Sequence, residues 1–234
     1  IINFKINSII KLIEFYRKKF NQIFLPVSIE NCSNLTFSQV RQLNAFSVTL
    51  TWNYNTKYAG GAFDNGDLTE TGINAVKCFE SDNILIDTAH LNKKSFYHLS
   101  DIYEIKFNSH SCISELNIHD RNLENEQIKI IVQNKGILGL ALVNKFLPNN
   151  KNSDIQNIAD TIDYFVDKYG YQYLAIGRGF GGSLDLPINL TKYNNFNDLI
   201  NIFIKRGYSD EIINSVLHKN YFNFLKNNNV LQVN

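Results

Sequence analysis

Two of the five histidines, His90 and His110, lie 20 residues apart, and each stands where a short run of β-branched and apolar residues ends. Glu30 follows an earlier run of the same kind. Imidazole nitrogens and carboxylate oxygens are common protein ligands of Zn²⁺. If the three runs are parallel strands of one sheet, their carboxyl ends meet at one edge. The spacing therefore predicts a metal site at Glu30, His90 and His110; the alternative is that each histidine is an ordinary polar residue at a strand end.

A second pattern of chemical interest is the glycine-rich segment Gly177–Gly182, which matches GxGxxG after a predicted strand. In a dinucleotide site the last glycine opens a helix whose amino end faces the pyrophosphate. Here the following residues, Ser183 to Pro187, have no helical pattern. We therefore assign no nucleotide to this loop.

Short apolar runs alternate with amphipathic stretches along the chain. Six runs have the length and composition of buried strands: Phe24–Ile29, Ser47–Trp52, Asn83–Asp87, Ile105–Asn108, Ile137–Val143 and Tyr173–Ile176. The predicted helices are Ile1–Phe20, Ser38–Asn44, Thr69–Phe79, Glu124–Gln133, Asp154–Lys168, Asn197–Lys205 and Ser209–Leu217. This alternation predicts an α/β fold, either a (β/α)8 TIM-type barrel or an open doubly wound sheet.

The number of strand candidates is small for a closed barrel. A whole (β/α)8 barrel needs about 250 residues, whereas this chain of 234 residues has six strand candidates and no linker. We expect residues 1–234 to form a single partial barrel domain with about six of the eight βα units. The chain contains no methionine and already reads as a helix at its start, which predicts that the first strands are missing. An open set of strands exposes two edges, so a homodimer is one expected state.

The composition excludes several classes of function. The net charge is +1 and no basic stripe occurs, so we expect no nucleic-acid partner. No apolar run is long enough for a membrane span. Cys32, Cys78 and Cys112 are too scattered for a disulfide framework or a CxxC metal site, and we expect reduced thiols in a cytoplasmic protein.

Several short blocks occur in a characteristic order: Leu-Thr-Trp-Asn-Tyr-Asn at 50–55, Leu-Thr-Glu-Thr-Gly at 68–72, Ile-Asp-Thr-Ala-His at 86–90, Ser-His-Ser at 109–111 and Arg-Asn-Leu at 121–123. An Arg-Gly-Tyr-Ser turn at 206–209 and Asn-Tyr-Phe at 220–222 follow. Taken together, these blocks resemble the membrane (renal) dipeptidases and their bacterial relatives. The resemblance extends from Ile29 to Phe224.

The resemblance implies a (β/α)8 amidohydrolase-like barrel that hydrolyses dipeptides with two zinc ions. In that family a glutamate bridges the two metals, and Glu30 looks like its counterpart. The same resemblance makes His90 and His110 ligands of the second metal, and it makes Arg121 the residue that binds the carboxylate of the dipeptide. Trp52 stands where the mammalian enzymes have a substrate-binding histidine, and bacterial relatives often have tryptophan there.

The sequence departs from the family pattern at two motifs. The family's first strand carries His-x-Asp, which supplies the first metal, and none of the five histidines here begins such a motif. The family's last strand ends in Gly-x-Asp-Phe-Asp-Gly, whose first aspartate is the catalytic acid/base; Gly179 stands at that position and Gly181 at the second aspartate. We therefore assign no catalytic residue. The two expectations are a binuclear zinc dipeptidase and a catalytically impaired relative that retains one partial zinc site.

Overall fold

Six strands form the centre of the computed structural model, which describes residues 2–19, 26–177, 183–190, 192 and 195–231. They are β1 (Val27–Ile29), β2 (Ala45–Thr49), β3 (Leu85–Asp87), β4 (Phe107–Ser111), β5 (Ile137–Leu140) and β6 (Leu174–Ile176). Each of the six predicted runs overlaps one of these strands, although the bounds are shifted. Residues 178–182 of the glycine-rich segment, including Gly179, lie outside the described residues.

The strand order distinguishes the two predicted architectures. The strands are hydrogen-bonded in the order β1-β2-β3-β4-β5-β6, and every neighbouring pair is parallel. Because parallel crossovers are right-handed, a consecutive order places all the crossover segments on one face of the sheet. That is the winding of a (β/α) barrel, whereas a doubly wound sheet reverses its strand order part-way. Among the described strands, the order therefore supports the barrel and contradicts the doubly wound alternative.

Helices connect the strands and continue beyond them. Within the described ranges they are α1 (Ile2–Lys19), α2 (Phe37–Gln42), α3 (Glu70–Ser81), α4 (Lys93–Ser100), α5 (Asn125–Gln133), α6 (Ile155–Tyr169), α7 (Phe196–Lys205), α8 (Asp210–Asn214) and α9 (Asn220–Asn227). The sequence pattern does not predict α4, because its buried apolar residues are only Phe96 and Leu99. The helix predicted at Ser209–Leu217 is α8, which a π-helical turn joins to the unpredicted α9. None of the helices described is long and apolar enough to cross a lipid bilayer.

The two faces of the sheet differ in polarity, since alternate residues of a strand point to opposite sides. Val48, Ile86 and Leu138 on the outer side share one hydrophobic cluster with Val76 and Phe79 of α3. The inner side lines a cavity of about 450 Å³. Its lining is apolar where β4 and β5 begin and polar toward the carboxyl ends of β1 to β4, where the side chains are those of Glu30, Thr49, Asp87, Ser109 and His110.

Helix α9 packs against the inner face of the sheet, where β4 and β5 begin. The ring of Phe107 stacks on Phe224 with centroids 5.3 Å apart and on Tyr221 at 6.4 Å. Ile137 and Leu225 belong to the same buried cluster. The helix therefore covers the apolar end of the inner face and leaves the polar end to the candidate site.

We expect Asn220→Ala to lower the free energy of unfolding by about 1–3 kcal/mol, because truncation removes two side-chain hydrogen bonds to backbone carbonyl groups, one of them buried. Asn220 is 8% exposed, and its Nδ2 donates to the carbonyl oxygens of Tyr171 (2.6 Å) and Leu174 (2.8 Å). Asn228→Ala is the matched control, since the Asn228 amide donates to Phe224 within the same helix. Urea unfolding measures both variants, and equal destabilisation would contradict an anchoring role for Asn220.

Candidate metal centre

Glu30, His90 and His110 converge at the carboxyl edge of the sheet. His90 Nε2 lies 2.9 Å from both Glu30 Oε1 and His110 Nε2, and His110 Nε2 lies 3.4 Å from Glu30 Oε1. Within the described ranges this is the one group of three or more His, Cys, Asp and Glu residues whose ligand atoms all lie within 4.8 Å of one another. The structure therefore brings together the three residues whose spacing suggested a metal site.

The curvature of the sheet makes this convergence possible. Glu30 directly follows β1, His90 lies just beyond β3, and His110 is in β4. In a flat sheet β1 and β4 would be separated by three strand spacings of about 4.8 Å, or about 14 Å. Curling of the sheet, as in a barrel, turns the side chains at these strand ends toward one point.

The backbone of His90 is held in a conformation that few non-glycine residues adopt. Its φ is 72°, in the left-handed region. The carbonyl oxygen of His90 accepts hydrogen bonds from Thr51 Oγ1 and from the backbone N–H of Ala62, both at 2.9 Å. These bonds stabilise the turn that carries the imidazole, and such local strain is common at functional sites.

The second ring nitrogen of each histidine, Nδ1, also lies close to a polar side-chain atom. His90 Nδ1 lies 2.9 Å from Asn53 Oδ1, and His110 Nδ1 lies 2.6 Å from Ser109 Oγ. A hydrogen bond at Nδ1 fixes the ring orientation and leaves Nε2 available to a cation. Both rings thus present Nε2 toward Glu30.

Asp87 connects the backbone segments that carry the two histidines. It is 1% exposed, and its Oδ1 accepts hydrogen bonds from the backbone N–H groups of Ala89 (3.0 Å) and Ser109 (2.9 Å). Ala89 precedes His90, and Ser109 precedes His110. One buried carboxylate therefore sets the position of both imidazoles relative to each other.

The chemistry of the three donors fits a divalent cation. Burial lowers the pKa of His90 to about 4, so its imidazole is neutral at pH 7 and can offer a lone pair. Glu30, His90 and His110 make three close contacts with one another. A hydrogen atom on one Nε2 can make only one of these contacts a hydrogen bond. A cation between them would accept the lone pairs of all three.

The two predicted substrate-binding residues lie next to this group. Arg121 is 4% exposed; its Nη2 donates to the carbonyl oxygen of His110 at 3.1 Å, and its Cζ lies 5.6 Å from the centre of the Phe146 ring. Trp52 is 48% exposed, and its ring centre lies 6.0 Å from that of His90. The buried guanidinium group of Arg121 thus lies beside His110, and the exposed ring of Trp52 lies beside His90.

Some residues of the site have no assignment from the sequence. Asn53 and Asp87 orient the histidines, and the only signal for them is a polar residue at or just after an apolar strand. His119 accepts the backbone N–H of Arg121 at Nδ1 (3.0 Å), and its ring lies 4.6 Å from that of Phe146. No local pattern marks His119, because its contacts depend on how two loops pack.

The cysteines are not further ligands. Cys32, Cys78 and Cys112 carry free thiols, and none of them belongs to the cluster of Glu30, His90 and His110. Burial raises the pKa of Cys32 and of Cys112 to about 12, so both remain protonated near pH 7.

Known proteins resemble this chain in sequence. The family model for the membrane dipeptidases (peptidase family M19) matches residues 6–233. A Klebsiella pneumoniae protein, described as an uncharacterized protein in the pqqA 5′ region, is 28% identical over 182 residues, which cover 74% of this chain and 65% of that protein. Dipeptidase verJ of Clonostachys rogersoniana is 27% identical over 180 residues, which cover 74% of this chain and 46% of that protein.

The fold has solved counterparts as well. The crystal structure of a metallo peptidase from Rhodobacter sphaeroides, liganded with a phosphinate mimic of the dipeptide L-Ala-D-Ala, superposes with a TM-score of 0.79 and 20% identity. The match covers 86% of this chain and 62% of that one. The likeness confirms the predicted barrel-type α/β fold. The chain spans less than two thirds of the length of all three of these proteins.

Proposed function

Because the chain belongs to the membrane dipeptidase family, peptidase family M19, we propose that it acts as a metal-dependent dipeptidase that uses two zinc ions. The observation that carries the proposal is the convergence of Glu30, His90 and His110 within 4.8 Å. Two histidines and a carboxylate are a ligand set of catalytic zinc. A dipeptidase and a metallo peptidase liganded with a dipeptide mimic are among the similar proteins, which supports a dipeptide as the substrate.

In this proposal Glu30, His90 and His110 would hold one zinc ion, and Glu30 would also be a ligand of the second. Bound zinc supplies a nucleophilic water near neutral pH and polarises the carbonyl group of the peptide bond. The side chain of Glu30 is 31% exposed, against 7% for His90 and 10% for His110. The carboxylate is thus the most accessible of the three, and its two oxygens could serve two ions.

Arg121 binds the carboxylate of the dipeptide in this proposal. A guanidinium group can hold a carboxylate through two parallel hydrogen bonds. Because Arg121 contacts the backbone of His110, a substrate held there has its peptide bond near the metal ligands. Trp52 offers an exposed ring beside His90 against which the substrate packs.

A catalytically impaired relative is the second candidate, and two sequence observations favour it. The sequence contains no His-x-Asp motif, which supplies the first metal in the family. Gly179 stands where the family has its catalytic aspartate. Such a protein would bind one zinc ion through Glu30, His90 and His110 without turning over dipeptides.

His110→Ala is expected to weaken zinc binding by more than the roughly 10- to 100-fold that loss of a ligand's hydrogen-bond partner costs. The reason is that the variant removes one of three direct ligands. Zinc titration against a chromogenic chelator gives the affinity. His98→Ala is the matched control, since His98 contacts Asp67 and lies outside the cluster. Unchanged affinity in His110→Ala would rule out this site, and hydrolysis of Ala-Ala by the zinc-loaded parent separates the enzyme from the impaired relative.

A further inference from the structure

An aromatic surface lies beside the candidate metal centre. The loop between β2 and α3 carries Tyr54, which is 60% exposed, and Phe63, which is 41% exposed. Their ring centres are 6.1 Å apart in an edge-to-face arrangement. We call these two residues the aromatic rim. Neither has a role in the site described so far.

One side of the aromatic rim is connected to the ligand His90. The backbone N–H of Phe63 donates to the carbonyl oxygen of Asn53 at 2.8 Å, and Asn53 Oδ1 lies 2.9 Å from His90 Nδ1. The residue before Phe63 is also fixed near His90, because Ala62 N–H donates to the His90 carbonyl. The rim therefore has a defined position relative to the metal ligands.

The other side of the aromatic rim leads to Arg121. The ring of Phe63 lies 6.2 Å from that of His119, and His119 lies 4.6 Å from Phe146. Arg121 donates its backbone N–H to His119 and stacks its guanidinium over Phe146. A continuous series of ring contacts thus runs from the carboxylate-binding arginine of the proposed function to the exposed face of Phe63.

The loop that carries the rim is ordered by its own hydrogen bonds. Asp64 Oδ2 accepts the backbone N–H of Asn55 at 2.7 Å, and Asn92 Nδ2 donates to the carbonyl oxygens of Asp64 and Gly66, both at 2.8 Å. A Cβ atom at Gly61 would lie 2.4 Å from the Tyr54 carbonyl oxygen, so the two limbs of the loop pack closely. The exposed rings are therefore held in place before any ligand binds, which lowers the entropic cost of binding.

We propose that Tyr54 and Phe63 determine specificity by binding the side chain of the C-terminal residue of the dipeptide, and that they select large apolar side chains. The inference rests on the proposed function, because it takes Arg121 as the residue that binds the substrate carboxylate. That carboxylate and the C-terminal side chain are attached to the same Cα atom, so the side chain must lie close to Arg121. The nearby exposed apolar groups joined to Arg121 by ring contacts are those of the rim.

The test compares the binding of the non-hydrolysable phosphinate mimics of three dipeptides, Ala-Phe, Ala-Ala and Phe-Ala, to the zinc-loaded protein by titration calorimetry, and each mimic is named below by its dipeptide. We expect Ala-Phe to bind about tenfold more tightly than Ala-Ala or Phe-Ala, the order of effect that an apolar contact has on discrimination. In Phe63→Ala and Tyr54→Ala the ratio of Ala-Phe affinity to Ala-Ala affinity should fall toward one. Phe222→Ala, which removes a ring that is 50% exposed on α9, is the matched control and should keep the preference.

The outcomes separate the inference from the proposed function. A preference that survives in both rim variants, or one that follows the N-terminal residue, overturns the inference alone. Arg121→Met should weaken the binding of all three dipeptides by a larger factor than it weakens zinc binding, which a parallel zinc titration measures. If Arg121→Met binds dipeptides as the parent does, or if the parent binds none, the proposed function fails and the inference fails with it.

Discussion

Gly179→Asp is expected to raise the rate of dipeptide hydrolysis by about 10²- to 10⁴-fold, the usual contribution of a positioned acid/base group. In the family that this sequence resembles, an aspartate at this position orients the attacking water and passes its proton to the leaving amine. Gly179 has no side chain that can move a proton. The variant therefore supplies one of the two features, the catalytic aspartate and the His-x-Asp motif, whose absence separates this chain from the family pattern.

Gly179→Asn is the matched control for this experiment, because its amide has nearly the same shape as aspartate but cannot accept a proton near pH 7. Steady-state hydrolysis of Ala-Ala by the zinc-loaded proteins gives the rates, and a zinc titration accompanies each of them. If zinc binds equally to all variants and Gly179→Asp is no faster than Gly179→Asn, the alignment of this loop with the family motif is wrong.

Asp87→Ala is expected to weaken zinc binding by about 10- to 100-fold, the cost of losing a group that orients metal ligands. The Asp87 carboxylate accepts the N–H groups of Ala89 and Ser109, the residues that precede His90 and His110. Without this carboxylate, no single group holds the two Nε2 atoms at their separation of 2.9 Å. The two imidazoles would then occupy a wider range of positions, and fewer of these would suit the ion.

Asp87→Asn distinguishes orientation from charge, because the asparagine Oδ1 can still accept both N–H groups. We expect this variant to retain most of the zinc affinity that Asp87→Ala loses. Asn134→Ala controls for general destabilisation, since Asn134 donates to the Ile105 carbonyl near the start of β4, away from the site. If Asp87→Ala binds zinc as tightly as Asn134→Ala does, Asp87 does not position the ligands.

Local features of the chain account for most of the elements that the sequence predicted. Buried parallel strands are apolar on both faces, so the six runs could be recognised from composition alone. Thr69 begins the helix predicted from the sequence, and in the structure its side chain caps α3 by accepting the Gly72 N–H at 3.0 Å. Helices α4 and α9 could not be recognised in this way, because they are stabilised mainly by contacts with distant parts of the chain. Phe224 of α9, for example, stacks on Phe107 of β4.

The candidate site likewise has one part that the sequence predicts and another that the tertiary structure determines. Residue order places Glu30, His90 and His110 at the ends of strands, and parallel pairing makes strand ends neighbours. Their residue types then suggest a metal, so the composition of the site follows from local pattern. The distances among them follow from the curvature of the whole sheet, which brings β1 and β4 together at one edge.

No local sequence pattern predicts the hydrogen bonds that orient the two histidines. Asn53 reaches His90 across 37 positions of the chain, and Asp87 reaches Ser109 across 22. Hydrogen bonds of this kind depend on side-chain directions that exist once the core has packed. The order of residues thus dictates which chemical groups this protein has at its site, while the packing of the barrel dictates which of them orient the others, because orientation is a property of long-range contacts.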